Sequence, residues 1–209
     1  MDIGLLVYPR LTPLDLVGPW EVLHLLPDTE THLIWTRPGP VQADGGMEIS
    51  ATVGFAEAPA LDLLLVPGGP GQLSLMKHTI LMDFIRAHAQ TGKWLTSVCT
   101  GAMLLAQAGV LRGRRATTHW LARPSLRSFG VDVVDARYVI DGHIATSAGV
   151  SAGIDMALEL ARLLAGENVA QAIQLGIEYD PAPPLDAGSP DRAPPELVER
   201  LRSKARLFM

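Results

Sequence analysis

Trp94-Leu95-Thr96-Ser97-Val98-Cys99-Thr100-Gly101-Ala102 joins an apolar strand to an apolar helix through the only cysteine of the chain. Trp94 to Val98 has the makeup of a buried strand, Ala102 to Ala108 that of a packed helix, and Gly101 removes a Cβ where the two meet. Such a turn lifts Cys99 above the sheet edge, where the following N–H groups and the helix dipole favour an anion. A thiolate near neutral pH is therefore expected. Cys99 also fits a buried small hydrophobe, the commoner fate of a free cysteine. Position favours the functional role, because open α/β sheets bind ligands at the carboxyl ends of central strands.

Outward from this turn, Leu61 to Val66 is a continuous branched run stopped by Pro67-Gly68-Gly69, as suits a strand buried on both faces. Ile3 to Val7 and His32 to Thr36 read as further strands. Between them, Leu14 to Leu26 has helical spacing that Gly18-Pro19 must bend or restart. Glu48 to Thr52 and Val53 to Phe55 suggest a peripheral hairpin, and Ile80 to Gln90 a helix. Val131 to Val134, Arg137 to Ile140 and His143 to Thr146 add strands, the last two joined at Asp141-Gly142. Gly153 to Leu164 and Val169 to Tyr179 read as helices, followed by a proline-rich arm and a last helix over Glu196 to Phe208. The alternation predicts an α/β fold with a mostly parallel sheet. One domain over 1–209 is expected, with the arm and terminal helix at 180–209.

With 209 residues, 48% hydrophobic and 19% charged, the chain can bury a sizeable core. Seventeen basic residues against twenty-two acidic ones give a net charge of −5, without the basic excess of a nucleic-acid binder. One cysteine excludes an internal disulfide and the usual thiolate zinc sites, and fits the reducing cytoplasm. His24, His32, His78, His88 and His143 have no metal-ligand spacing, so no metal is expected from them. Met1-Asp2-Ile3-Gly4 lacks a basic n-region, and no apolar run approaches the roughly 20 residues of a membrane span. A soluble, unprocessed protein without nucleic-acid or membrane partners follows as the expectation.

A nucleophilic thiol needs proton transfer and charge stabilisation from the same sheet edge. Asp15, in Leu14-Asp15-Leu16-Val17-Gly18-Pro19, either caps a helix or acts as a general acid with a raised pKa. Glu21 suits solvent. Gly68-Gly69 either aim N–H groups at a developing anion or simply make a tight turn. Thr100 offers an N–H and a hydroxyl beside the thiol, or caps the following helix. His119, in Ala116-Thr117-Thr118-His119-Trp120, fits catalysis or a structural post. Arg112-Gly113-Arg114-Arg115 suits a solvated turn.

The Cys99 elbow, the segment Leu14 to Val22, Pro67-Gly68-Gly69, Ala116 to Trp120 and the stretch Ala170 to Pro184 together resemble the glutamine-amidotransferase-like ThiJ/PfpI superfamily. The likeness covers almost the whole chain and is closest to the isonitrile (isocyanide) hydratase branch. It implies a flavodoxin-like three-layer sandwich with a nucleophile elbow, usually a homodimer, that hydrates an isonitrile to an N-substituted formamide without a metal or organic cofactor. Cys99 would attack the terminal carbon to give a thioimidate, Asp15 would deliver the proton, and Thr100 with Gly68 and Gly69 would hold substrate and developing charge. His119 would lie at the same site. Thr100 stands where peptidase-like members carry a histidine, which argues against a protease. The resemblance also reaches the non-catalytic ligand-sensing domain of AraC-type transcription regulators. Those append about a hundred residues of helix-turn-helix, whereas here only the arm and a short helix follow Asp180.

Overall fold

In a computed structural model that describes residues 1–204, the apolar runs assemble into one seven-stranded sheet with helices on both faces. In chain order the elements are β1 (Asp2–Leu6), α1 (Pro13–Leu23), β2 (Glu30–Trp35), β3 (Gly39–Gln42), β4 (Glu48–Ala51), β5 (Val53–Gly54) and β6 (Leu63–Val66). There follow α2 (Gln72–Leu75), α3 (Thr79–Gln90), β7 (Trp94–Val98), α4 (Gly101–Gln107), β8 (Arg115–Ala116), α5 (Arg123–Arg127) and β9 (Asp132–Val133). The chain continues through β10 (Tyr138–Asp141), β11 (Ile144–Ser147), α6 (Ala152–Ala165), α7 (Glu167–Gly176) and α8 (Pro195–Ser203). The sheet order is β10-β11-β7-β6-β1-β2-β5, parallel throughout except for β10 against β11. This is the mostly parallel, three-layer α/β architecture expected from the alternation. No helix among the described residues is long and apolar enough to cross a membrane.

The order reverses between β1 and β6, since the chain moves outward from β1 to β2 and then returns to lay β6 on β1's other side. Right-handed crossovers in opposite directions place their helices on opposite faces. Accordingly α1 packs with α6, and α6 with α7, while α3 packs with α4. The crevice that such a reversal opens lies at the carboxyl ends of β1, β6 and β7. The first turn of α1 there carries Asp15, and the loops carry Gly68-Gly69 and Cys99.

Several local expectations give way to tertiary constraints. The helix over 13–23 continues through Pro19 as one element without restarting, and Gly18 lets Ile154 of α6 approach: a Cβ on it would lie 3.0 Å from the Ile154 side chain. The peripheral hairpin pairs β3 with β4; Val53-Gly54 instead joins the main sheet beside β2. The short elements α2, β8 and α5 had no periodic signal of their own, whereas the strand expected over Val131 to Val134 forms as the two-residue β9, paired with β8 outside the main sheet. The terminal helix is seen to Ser203, and its expected continuation through 205–208 lies outside the described residues.

Gly101 shows how tightly strand and helix meet at the cysteine. A Cβ there would stand 2.2 Å from the Val66 carbonyl oxygen and 2.8 Å from that of Pro67, both backbone atoms that cannot step aside. Gly101→Ala is expected to destabilise the fold by roughly 3 kcal/mol, the upper range for overpacking. Urea denaturation of the variant checks this; an unchanged midpoint would show that the junction is slack.

Candidate active site

Cys99 follows β7 with φ of +55°, a left-handed conformation that costs a non-glycine residue energy and must be held by its surroundings. Three hydrogen bonds hold it. The Cys99 N–H donates to the carbonyls of Ser147 (3.2 Å) and Ala148 (3.0 Å), and the Thr118 hydroxyl donates to the Cys99 carbonyl (2.7 Å). Thr117 N–H in turn donates to Thr146 Oγ1 at 2.9 Å. The two threonines before His119 thus clamp the elbow against β11.

Asp15 lies inside α1 and does not cap it; Thr12 is the capping position and makes no side-chain cap. The carboxyl is fully buried, accepts from Gly68 N–H at 2.9 Å through Oδ2, and leaves Oδ1 without a hydrogen-bond partner among the described residues. The Cys99 thiol lies alongside it. Burial pushes the Asp15 pKa up to about 7, while the Gly68 N–H and the thiol pull the other way. Such an acid changes protonation state in the neutral range, as proton transfer there requires.

The thiolate expected from the helix terminus alone is corrected here. Burial, and then the Asp15 charge, push the thiol pKa up; the backbone N–H groups of Val150 and Thr100 facing the sulfur only partly offset this. The resting pair is therefore a protonated thiol beside an acid that titrates near neutrality. Tyr8, fully buried, donates to the Pro67 carbonyl at 2.7 Å and is held neutral by burial, with Asp15 and Cys99 nearby acting in the same direction.

The glycine turn also departs from expectation. Both of its N–H groups are already engaged within the protein: Gly68 with Asp15 Oδ2, and Gly69 with Thr100 Oγ1 at 3.0 Å. Gly68-Gly69 therefore aims the acid and Thr100, and presents no free N–H pair to an oxyanion. A Cβ on Gly68 would meet Thr100 N at 2.5 Å and Asp15 Oδ2 at 2.8 Å, so only glycine fits. The Thr100 hydroxyl does not cap α4. The donors that do face the sulfur belong to Thr100 and to Val150, the latter in the β11–α6 loop with φ of +28°. Val150 was missed in the sequence because a backbone donor leaves no side-chain signal.

Although only 6% exposed, Cys99 is not sealed in. It opens onto a cleft of about 130 Å³ shared with Thr12, Asp44, Gly69, Pro70, Thr100, His119 and Val150. His119 Nδ1 accepts from Leu121 N–H at 3.3 Å, which leaves the proton on Nε2. Burial and the nearby Arg123 lower its pKa and keep the ring neutral. Glu21 is exposed, away from this cleft.

A profile of the DJ-1/PfpI family matches residues 1–163. The isonitrile hydratase of Pseudomonas putida is 45% identical over 205 residues, spanning 98% of this chain and 90% of that protein. The HTH-type transcriptional regulator GbdR of Pseudomonas aeruginosa is 32% identical over 188 residues, 86% of this chain but 51% of the regulator. Among solved structures, a ThiJ/PfpI family protein from Pseudomonas syringae superposes with a TM-score of 0.96 at 36% identity, over 99% of this chain and 86% of that one.

Proposed function

The chain belongs to the DJ-1/PfpI family, and from that premise we propose that it is a cysteine-dependent isonitrile hydratase, turning R–N≡C and water into the formamide R–NH–CHO. The observation that carries this is the pairing of a protonated thiol with a buried acid near neutrality, at a cleft sized for a small linear group. Identity of 45% over nearly the full length of an isonitrile hydratase supports it.

The terminal carbon of an isonitrile must gain a bond to a nucleophile and a proton, and the Cys99–Asp15 pair supplies both. As the Sγ–C bond forms, the thiol proton passes through Asp15 to that carbon, giving the thioimidate R–N=CH–S–Cys99. Water then adds across C=N, its oxygen to carbon and a proton to nitrogen. The adduct R–NH–CH(OH)–S–Cys99 collapses by C–S cleavage, and the hydroxyl proton returns to sulfur through Asp15. The N–H groups of Thr100 and Val150 stabilise the sulfur whenever it carries charge. No cofactor enters the balance. A homodimer is part of this proposal, built on the outer face of α1 where Leu14 and Val17 are exposed; sedimentation at twice 22.4 kDa checks it.

The test is to incubate the protein with an alkyl isonitrile in ¹⁸O-water, follow formamide absorbance, and quench in acid for mass analysis of the Cys99 peptide. Labelled formamide, and a peptide heavier by one whole isonitrile, are expected. Saturable binding without formamide would instead favour a ligand sensor, the role suggested by the likeness to half of a transcription regulator.

A further inference from the structure

The amino ends of β1 and β2 lie at the opposite edge of the sheet from Cys99 and bring together side chains that the hydration chemistry does not use. Asp2 and Glu30 are direct partners in the parallel register, and Gly4 is the partner of His32. Side chains two apart on a strand share a face, so Asp2, Glu30 and His32 project from the same side. Gly4 puts no side chain between the imidazole and Asp2. His32 Nε2 accordingly lies 2.8 Å from Asp2 Oδ1, and one donor atom from each of the three residues falls within 4.8 Å of the other two. In the chain His32 has no partner at metal-ligand spacing; the strand register supplies its partners.

Two carboxylates side by side on neighbouring strands repel, and a cation between them offsets the repulsion. No lysine or arginine among the described residues pairs with either one. Lys93 is spent on Asp62 Oδ1 at 2.8 Å, and Asp62 Oδ2 accepts from Asp2 N–H at 3.0 Å, which fixes the backbone beneath the cluster. The His32 side chain is only 15% exposed and is held against Asp2, whereas Glu30 is exposed and has room to swing inward. Two ligands of one zinc ion, each about 2.0–2.2 Å from it, stand roughly 3 Å apart. The Nε2 and Oδ1 atoms are already near that spacing.

We infer that Asp2, Glu30 and His32 form a binding site for a divalent transition ion of the zinc type. His32 Nε2 exchanges its hydrogen for the ion, Asp2 Oδ1 and the Glu30 carboxylate complete three protein ligands, and water takes the fourth place. The imidazole selects against magnesium and calcium, which take oxygen. The ion clamps β1 to β2 at the end of the sheet remote from the thiol.

The test titrates ZnCl₂ calorimetrically into the full chain carrying Cys99→Ala and no affinity tag, which removes the thiol and any added histidines as competing ligands. Uptake of one Zn²⁺ per chain is expected. Glu30→Gln, an exposed change that leaves the Asp2–His32 contact in place, should weaken that uptake by at least the roughly tenfold that losing even an indirect partner costs a metal site. His32→Gln should weaken it further. Because the ion binds only the folded pairing of two strands, it should raise the thermal midpoint of the Cys99→Ala chain and raise that of each variant less. If His32→Gln fails to fold, Glu30→Gln decides by the same two readings. Mg²⁺ at equal concentration should not displace Zn²⁺. No uptake, uptake that the folded variants keep at full strength, or equal competition by Mg²⁺, as at a plain acidic surface, would each overturn the inference.

Discussion

With Cys99 replaced by alanine, formamide production is expected to drop by roughly 10⁴-fold or more, the scale on which covalent enzymes lose activity when the nucleophile is removed. The sulfur is the only thiol in the chain, and it opens onto the cleft while lying against the buried Asp15 carboxyl. Alanine meets the same left-handed backbone that cysteine already accepts and removes a single atom, so the fold is expected to persist. Circular dichroism and the denaturation midpoint verify that. Serine is the sharper variant. Its oxygen is far less acidic than sulfur, and the burial and Asp15 charge that already raise the thiol pKa would hold an alkoxide out of reach. Cys99→Ser should therefore match alanine, although it keeps a hydroxyl in place. Turnover surviving in either variant would remove the covalent route.

The layout around this sulfur was legible in the sequence for a physical reason. Buried parallel strands need unbroken apolar runs, and Leu63 to Val66 and Trp94 to Val98 provide them, each stopped by residues that cannot continue a strand. Asp15 stood out because an acid inside an apolar helix must have a partner. What the sequence hid was where backbone groups point. The N–H groups of Gly68 and Gly69 look available in a linear chain, and only the fold shows that Asp15 and Thr100 already take them. Val150 contributes through a main-chain donor in a strained loop, and Thr117-Thr118 brace the elbow across a distance in sequence that no periodicity records. Gly188 to Arg192 of the proline-rich arm come to line one groove with His119 and Trp120, a long-range event that composition cannot announce.

Asp15→Asn separates the two roles that burial gives this residue, and its effects run in opposite directions. Asparagine keeps an oxygen to accept from Gly68 but has no proton to relay, so hydration is expected to fall by roughly 10³-fold, within the range for a lost general acid–base. In the unaltered protein the reactive pair holds one proton. Below the Asp15 pKa of about 7 it holds two and the thiol has nowhere to send its own, so activity should rise with pH through about 7 and then level off. Stability moves the other way. The folded-state pKa lies above the ordinary 3.8, so the folded protein keeps a proton that the unfolded chain has lost. The favourable contribution is complete below about pH 4 and disappears as pH climbs through 7, where a carboxylate is forced into the interior. Asparagine carries no such charge. Its stability advantage over the unaltered protein should therefore grow between pH 5 and pH 8 by about 2–3 kcal/mol, given about 1.4 kcal/mol per pKa unit. Urea denaturation at the two pH values measures the difference. A stability gain without loss of hydration would make Asp15 a buried acid with no part in the chemistry, whereas loss of hydration with no pH-dependent gain would mean that the carboxyl is not desolvated as the fold requires.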